Sequence, residues 1–305
     1  MILPNSARNR LIGIAVASAA YLCFAVLDST AKWLVRSLPV LEIVWLRFVG
    51  QVLLMVPLIV RSGDLRAARV RRPGLQAIRA CMMLSMTGLN FWALQTLQLA
   101  ETGAIMFTVP ILVALVGAWL LGERLDAGRW AAVVVGFVGV LLVMRPGTQG
   151  FQPAMLLSVA NAIVYALFTL LTRRLAATDP PAVTNLLSAC GAVLLLAPFA
   201  LRAWQWPEDA LQWAAIVLTG CAGGFGHLML AHAFRFAPAS TLAPFMYLQI
   251  VYMMGLGYLL FGDVPGGPVF AGAAVVIGSG LYLILRERRQ AIEERAAAGD
   301  AGGRG

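Results

Sequence analysis

Long apolar stretches recur along the chain, separated by short clusters of charged residues, glycine and proline. Six of these stretches contain no charged residue, and each is about as long as the roughly 20 apolar residues needed to cross a bilayer. Their apolar positions do not alternate with polar ones, which predicts helices rather than the strands of a membrane barrel. The pattern predicts an all-α polytopic membrane protein with ten transmembrane helices, at residues 11–35, 41–60, 75–98, 102–122, 128–145, 153–175, 181–202, 210–234, 238–262 and 267–285.

The composition agrees with this pattern, because 60% of the residues are hydrophobic and 12% are charged, about half the charged share of a soluble domain. The net charge of +9 lies at the boundaries of the spans rather than on one face, which excludes a nucleic-acid-binding protein. A Walker-type ATP-binding loop needs Gly-Lys before Ser or Thr, and the one lysine, Lys32, lacks that context. The four cysteines lie in apolar segments without a Cys-x-x-Cys pair, so neither disulfides nor a zinc site is predicted.

The distribution of lysine and arginine predicts the orientation, because positively charged loops stay in the cytoplasm. Eighteen of these residues lie on the side shared by both termini, and four lie on the other side. We therefore expect a cytoplasmic N-terminus at residues 1–10 and a cytoplasmic tail at residues 287–305. The tail is charged and then rich in alanine and glycine, and we expect it to be disordered.

The sequence also contains an internal repeat, with halves at residues 11–146 and 153–286. A shift of 141 residues pairs Ala25 with Ala166, Lys32 with Arg173, Pro39 with Pro180, Gly50 with Gly191 and Pro57 with Pro198. A shift of 140 pairs Leu-Leu-Gly-Glu at 120–123 with Leu-Phe-Gly-Asp at 260–263. Each half has five spans, and because five is odd, the second half enters the membrane from the opposite side. Inverted repeats are the architecture of alternating access, so the repeat predicts a transporter.

Several features of the first half resemble the EamA-type pattern, the ten-helix branch of the drug/metabolite transporter superfamily, and the resemblance covers both halves. They are Arg47 in span two, Pro110 in span four, Leu-Leu-Gly-Glu at 120–123 and Arg145-Pro146 after span five. The chain looks closest to bacterial amino-acid exporters of the YddG type. This resemblance implies a bacterial inner-membrane exporter of small amino acids without a cofactor, with a central cavity between spans one, three, four, six, eight and nine. The second half departs from the pattern at Asp263, where glutamate is usual, and at Ile250, the counterpart of Pro110.

Ionisable residues inside a bilayer are costly, so each is a candidate for function. Asp28 and Lys32 lie one turn apart on span one, and Arg47 lies at a similar depth in span two. We expect these three residues to form a charge cluster. It is either a structural ion pair between the first two spans, or a site where Asp28 accepts a proton or Arg47 meets a substrate carboxylate. The second half has no equivalent buried acid, so proton coupling through symmetric carboxylates is not expected.

The other substrate-binding candidates are neutral amide, aromatic and imidazole side chains within the spans. Such groups suit small zwitterions or aromatic solutes, and interhelical hydrogen bonding is the alternative role for each of them. They are Asn90, Phe91, Gln95, Asn161, Tyr165, His227, Tyr247 and Gln249. His227 and His232 face about 140° apart on a helix, so no metal site is predicted.

Spans four and nine contain internal prolines, Pro110 and Pro244. A proline lacks the N–H group, which leaves a carbonyl of the preceding turn without its helical partner. Free carbonyls at membrane depth are tolerated where they line a cavity. The prolines therefore predict kinked, cavity-lining helices that flex during gating, with a static kink as the alternative.

An intramembrane enzyme is the main alternative of a different class. Gly278-Ser279-Gly280 matches a rhomboid-type Gly-x-Ser-Gly motif only superficially, and one deep aspartate is too few for an aspartyl protease. We therefore assign no catalytic residue. The sequence predicts a secondary transporter whose partners are a small-molecule substrate, namely amino acids, and the lipid bilayer. Drug, nucleotide-sugar or nucleoside substrates and a channel stay open, and a monomer is compatible with the sequence.

Overall fold

A computed structural model describes residues 7–62, 70–121, 127–176, 178–237 and 239–302. Within these ranges the chain is helical and contains no strand. The helices are α1 (Ala7–Leu34), α2 (Val40–Ser62), α3 (Pro73–Leu94), α4a (Leu99–Met106), α4b (Val109–Leu121), α5 (Ala127–Met144), α6 (Met155–Ala176), α7 (Pro181–Arg202), α8 (Ala210–Phe236), α9a (Ala239–Leu242), α9b (Leu248–Phe261) and α10 (Gly267–Gly302).

The ten predicted spans are confirmed as an all-helical membrane architecture. In the described part of the chain, nine helical segments are long and apolar enough to cross a bilayer, with α4a–α4b and the α9 segments each forming one crossing. The 22-residue helix α3 supplies the tenth and contains the buried polar residues Gln76 and Arg79. Both side chains find partners on the neighbouring helices α6 and α7 or on the loop between them.

The fourth and ninth crossings are interrupted at the prolines that the sequence analysis identified. Helix α4a ends at Met106, and α4b begins at Val109, one residue before Pro110. Pro244 lies in a 3-10 segment, Ala243–Tyr247, between α9a and α9b. A shift of 140 residues places the two breaks at equivalent positions, so each half contains one discontinuous helix, a feature of inverted-repeat transporters.

The loops divide between two faces of the helix bundle. Every second loop along the chain lies on one face, which we call the trans side. These loops are α1–α2, α3–α4a, α5–α6, α7–α8 and α9b–α10. Two hydrogen bonds join these loops to helix ends on the same side. The Gln205 N–H donates to the Glu42 carboxylate, and Lys32 donates to the Leu97 carbonyl. The opposite face, which carries both chain ends, is the cis side. Helix α1 therefore begins on the cis side and its repeat counterpart α6 on the trans side, so the halves are inverted.

Packing between the halves follows the same symmetry. Helix α1 packs against α8, and their repeat counterparts α6 and α3 pack against each other. Helices α2 and α8 approach most closely at Gly50 and Gly220, where a Cβ on Gly50 would lie 3.0 Å from the Gly220 Cα. At the equivalent contact of α7 with α3, a Cβ on Gly191 would lie 2.7 Å from the Ala80 Cβ. Small residues thus let helices of the two halves pack closely at both equivalent contacts.

Helix α10 continues to Gly302, beyond the end of the tenth predicted span at residue 285. The disorder that we expect for the tail at residues 287–305 stays a prediction. The alanines, glutamates and arginines of this segment have high helix propensity, which favours the longer helix. Gly122 and Glu123 of the Leu-Leu-Gly-Glu motif and residues 1–6 lie outside the described residues.

Candidate substrate cavity

A cavity of about 220 Å³ lies between the two halves. Its walls come from α1, α3, the α4a–α4b crossing, α6, α8 and the α9 crossing, which are the helices that the family resemblance implied, and also from Arg47 of α2. Both interrupted crossings contribute to it: Met106 and Phe107 line it at the break in α4, and Met246 lines it at the break in α9. The cavity therefore lies where each half has a discontinuous helix.

Aromatic and methionine side chains supply about half of the residues in the walls. Tyr21 and Phe24 of α1 and Phe168 of α6 contribute aromatic rings. The methionines are Met83, Met86, Met106, Met246 and Met253. Methionine is flexible and polarizable, so this surface can adapt to apolar ligands of different shapes and to aromatic rings. Apolar walls lower the local dielectric constant, which strengthens the interactions of the few ionisable groups that face the cavity.

Asp28 is the acidic group of the cavity. Its side chain is buried, and its Oδ1 accepts a hydrogen bond from Nδ2 of Asn90 at 2.8 Å. Asp28 comes from α1 and Asn90 from α3, so this bond joins two helices of the first half while both residues line the cavity. A carboxylate held in this way can accept a hydrogen bond from a ligand that carries an amino group.

Arg47 is the strongly basic group among the described residues that line the cavity. It is 4% exposed, and its Nε and Nη1 have no hydrogen-bond partner. Its guanidinium carbon lies 4.2 Å from the centroid of the Phe48 ring. Arg47 and Asp28 form no salt bridge with each other, although the two groups interact electrostatically. One acidic and one basic side chain thus line the same cavity without a salt bridge between them.

Six of the eight neutral candidates line the cavity. They are Asn90, Phe91, Asn161, Tyr165, His227 and Gln249. The Oδ1 of Asn161 is buried without a hydrogen-bond partner, and the His227 ring packs edge-on against Phe24 with centroids 5.0 Å apart. These residues come from both halves, so a ligand in the cavity would contact both.

The other two neutral candidates lie elsewhere. Gln95 is exposed just after the last residue of α3, on the trans side. Tyr247 is buried behind the wall, where its ring packs at 5.0 Å from the ring of Phe107, which does line the cavity. Pro110 and Pro244 also do not line the cavity, although their neighbours Val109 and Met246 do. The sequence identified the correct helices but not the rotation of each side chain about its helix axis.

Lys32 is not part of a cluster with Asp28 and Arg47. Its Nζ lies 2.6 Å from Oδ2 of Asp263 and donates a hydrogen bond to the carbonyl of Leu97 at 3.0 Å. We call Lys32, Leu97 and Asp263 the trans latch, because they join α1, the α3–α4a loop and the α9b–α10 loop on the trans side.

The trans latch depends on the way α9b ends. Gly262 has φ of 67°, in the left-handed region that glycine adopts without strain. The next N–H, of Asp263, donates back to the carbonyl of Gly257 at 3.1 Å, which turns the chain toward α1. The ring of Phe261 lies 5.1 Å from Lys32 Nζ and 4.8 Å from the guanidinium carbon of Arg36. Leu-Phe-Gly-Asp at 260–263 therefore has a structural role that the sequence repeat alone did not reveal.

A second buried arginine, Arg79, is one of the eighteen basic residues that the sequence assigns to the cis side. It is 5% exposed and donates hydrogen bonds to Thr172 of α6 at 2.9 Å and to Ser188 of α7 at 2.5 Å. Its guanidinium carbon also lies 4.3 Å from the ring centroid of Phe168. Arg79 does not line the cavity, so it joins α3, α6 and α7 structurally. The depth of Arg79 within the third predicted span is the sequence signal that could have indicated this buried structural role.

The chain is similar to known proteins over both of its halves. Residues 11–145 and 152–286 each match the EamA-like transporter family. The S-adenosylmethionine uptake transporter of Rickettsia prowazekii is 24% identical over 86% of this chain and 88% of its own length. The riboflavin transporter of Vibrio cholerae is 26% identical over 92% of this chain and 95% of its own. The pseudopaline exporter of Pseudomonas aeruginosa is 24% identical over 87% of this chain and 93% of its own.

The fold is also found among solved structures. One crystal structure superposes with a TM-score of 0.62 at 21% identity, covering 93% of this chain and 98% of its own, which shows a shared fold. The two family matches coincide with the inverted halves, at residues 11–146 and 153–286, that were found from the sequence repeat. The chain belongs to the EamA-like transporter family.

Proposed function

We propose that this protein is a secondary transporter that moves small amino acids and related metabolites across the bacterial inner membrane by alternating access. The observation that carries this proposal is the cavity between the inverted halves, which presents Asp28 and Arg47 within walls of aromatic and methionine side chains. A zwitterion with an apolar body matches both the pair of opposite charges and the apolar walls. No group of the cavity is required to perform chemistry on the solute.

The size of the cavity favours a small solute. Its 220 Å³ is below the roughly 300 to 1,000 Å³ typical of sites for drug-sized ligands. A nucleotide-sugar site would need several basic groups for the phosphates, and Arg47 is the one strongly basic side chain among the described residues lining the cavity. Of the solutes named for the relatives, S-adenosylmethionine contains an α-amino acid group, whereas riboflavin has neither a carboxylate nor an ammonium group.

Alternating access requires that the cavity be closed on one side at a time. The trans latch joins the two halves on the trans side, through Lys32 of the first half and Asp263 of the second. Arg173, the repeat counterpart of Lys32, is exposed on the cis side. This asymmetry supports a trans-closed conformation. The discontinuities at α4 and α9 provide equivalent positions at which each half can flex as the latch opens.

The orientation and direction of transport are also proposed. The excess of lysine and arginine on the cis side favours a cytoplasmic location for that side and for both chain ends. Export follows the resemblance to amino-acid exporters and agrees with the pseudopaline exporter among the relatives. Uptake, as named for the S-adenosylmethionine relatives, is the alternative direction.

Counterflow in proteoliposomes tests the proposed substrate class. Vesicles loaded with unlabelled solute are diluted into labelled phenylalanine, methionine, S-adenosylmethionine, riboflavin, uridine or a cationic dye, each with and without a pH gradient. We expect accumulation of labelled amino acids above protein-free vesicles, because a carrier exchanges solute and a channel does not accumulate it. Accumulation of riboflavin, uridine or the dye without any amino acid would contradict the proposed substrate class.

A matched pair of variants on α3 tests whether the cavity is the transport site. Asn90 lines the cavity and holds Asp28, whereas Gln95, after the end of the same helix, is exposed outside it. We expect Asn90→Ala to reduce amino-acid counterflow at least tenfold and Gln95→Ala to leave it within twofold of the original protein. Equal effects of the two substitutions would show that transport does not use this cavity.

A further inference from the structure

We propose that Arg47 binds a carboxylate of the transported solute and that Asp28 and Asn161 accept hydrogen bonds from its ammonium group. This inference rests on the proposed function and adds which residues distinguish a zwitterion from a singly charged or neutral analogue. Arg47 and Asn161 both line the cavity, and each has buried polar atoms without a hydrogen-bond partner. These atoms are Nε and Nη1 of Arg47 and Oδ1 of Asn161.

Two neighbours pack closely against the guanidinium of Arg47, which also lines the cavity. The Phe48 ring lies 4.2 Å from its guanidinium carbon, and a Cβ on Gly223 of α8 would lie 3.0 Å from Nη2 and 3.3 Å from Nε. Glycine at position 223 therefore lets the guanidinium lie close against the α8 backbone. Held by a ring and by this backbone, Arg47 has little freedom to move, so a ligand that reaches it meets an ordered group.

An arginine in this state is suited to bind an anion. A buried charged group without hydrogen-bond partners is unfavourable, and in a transporter the ligand itself can supply the missing partner. A guanidinium presents its donors in a planar fork that matches a carboxylate, whereas lysine presents a single point charge. Arg79 shows the contrast within this chain, because Thr172, Ser188 and the Thr184 carbonyl accept its hydrogen bonds.

The acceptors lie on both halves of the protein. Asp28 belongs to α1 in the first half, and Asn161 belongs to α6 in the second. Both side chains face the cavity that Arg47 also lines, and both offer oxygen atoms to a ligand N–H group. A zwitterion that contacts all three residues would bridge the halves, whereas an analogue without the carboxylate would leave Arg47 unpartnered.

The test compares ligands that differ in one charged group. Phenylalanine, phenylalaninamide and 3-phenylpropanoate compete separately against labelled phenylalanine in counterflow. The amide lacks the carboxylate, and the propanoate lacks the ammonium group, while all three keep the ring. We expect each analogue to compete at least tenfold more weakly than phenylalanine, which corresponds to about 1.4 kcal/mol.

Variants then assign the discrimination to individual residues. Arg47→Gln is expected to reduce the preference for phenylalanine over phenylalaninamide to less than twofold, and Asn161→Leu to reduce the preference over 3-phenylpropanoate. Arg47→Lys retains a positive charge and should retain part of the preference. Arg79→Gln is the matched control, since it removes a buried arginine that does not line the cavity. The folded fraction of this variant should keep the full preference for phenylalanine over phenylalaninamide.

The possible failures of the two proposals differ. If no amino acid exchanges while another solute does, the proposed function is wrong. If amino acids exchange but the original protein does not distinguish phenylalanine from its amide, or if Arg47→Gln and Arg79→Gln change that preference equally, the inference about Arg47 is wrong and the transport function stands. Should Arg47→Gln not fold, Arg47→Lys decides: a preference for phenylalanine over its amide equal to that of the original protein overturns the inference, and a reduced one supports it.

Discussion

Replacing Asp263 with asparagine should open the trans side of the cavity. The substitution removes the negative charge 2.6 Å from Lys32 Nζ but leaves the hydrogen bond to the Leu97 carbonyl and the neighbouring Phe261 ring. Exposed ion pairs contribute about 0–1 kcal/mol, and breaking a fully buried one costs about 3–5 kcal/mol. The side chains of Lys32 and Asp263 are 8% and 20% exposed, so an intermediate loss of about 1–3 kcal/mol is expected. If the pair forms only in the trans-closed state, the ratio of trans-open to trans-closed protein rises about 5- to 150-fold.

A single cysteine in the cavity reports this change. Thr102 lines the cavity from α4a and is fully buried, so Thr102→Cys becomes reactive only when the cavity opens. The background carries serine at the four native cysteines, Cys23, Cys81, Cys190 and Cys221. A membrane-impermeant maleimide is added to spheroplasts, in which the proposed orientation places the trans side outside. Labelling of the reporter should be at least fivefold faster with Asp263→Asn than with aspartate at this position.

Two control variants separate the trans latch from a general loss of charge. Asp263→Glu keeps the negative charge and should label at a rate close to that of the unsubstituted latch. Arg36→Gln removes a nearby positive charge that contacts Phe261 but forms no salt bridge with Asp263. An unchanged rate with Asp263→Asn, or an equal acceleration with Arg36→Gln, would refute the argument that Lys32 and Asp263 hold the trans side closed.

Two further predictions concern the packing of the halves and the cis side. Gly220→Ala would place a Cβ 2.8 Å from the Gly50 Cα and should lower the free energy of unfolding by about 1–3 kcal/mol, measured by thermal unfolding in detergent. Gly255→Ala is the control and should leave the stability unchanged, because no neighbour lies within 4 Å of its added Cβ. Equal melting temperatures of the two variants would contradict this packing. The hydrogen bond from Gln76 lowers the pKa of Asp179, so the stability it contributes is present above the unfolded pKa of about 3.9 and is lost as the pH falls through the lower folded pKa. The melting temperature of Asp179→Asn should therefore lie below that of the original protein at pH 7 and approach it below pH 4, and a constant difference would contradict the assignment.

Much of the fold could be predicted from the chain because a bilayer restricts the choices. Backbone groups in lipid must be satisfied within each segment, so an apolar run of the right length becomes a helix. The prolines at positions 110 and 244 predicted the two interrupted crossings for a similarly local reason, the missing N–H group. The end of α10 was not predicted, since composition alone does not decide whether a polar segment with high helix propensity stays helical beyond the membrane.

The site could be predicted less fully. The depth of Asp28 and Arg47 follows from residue counting along a helix, and so does their location near the cavity. Their partners do not follow, because Asn90 and Asp263 are 62 and 231 residues away from Asp28 and Lys32 in the sequence. Lys32 illustrates the consequence: one turn from Asp28, it pairs instead with an aspartate of the other half.

The sequence by itself determined the membrane class, the ten helices, the duplication and the inversion, because each of these depends on apolar length, local backbone chemistry or the parity of five. The tertiary structure decided which side chains turn toward the cavity, which arginine is satisfied and which is not, and what closes the trans side. These depend on the rotation of each helix against its neighbours, and close packing of side chains from distant parts of the chain sets that rotation.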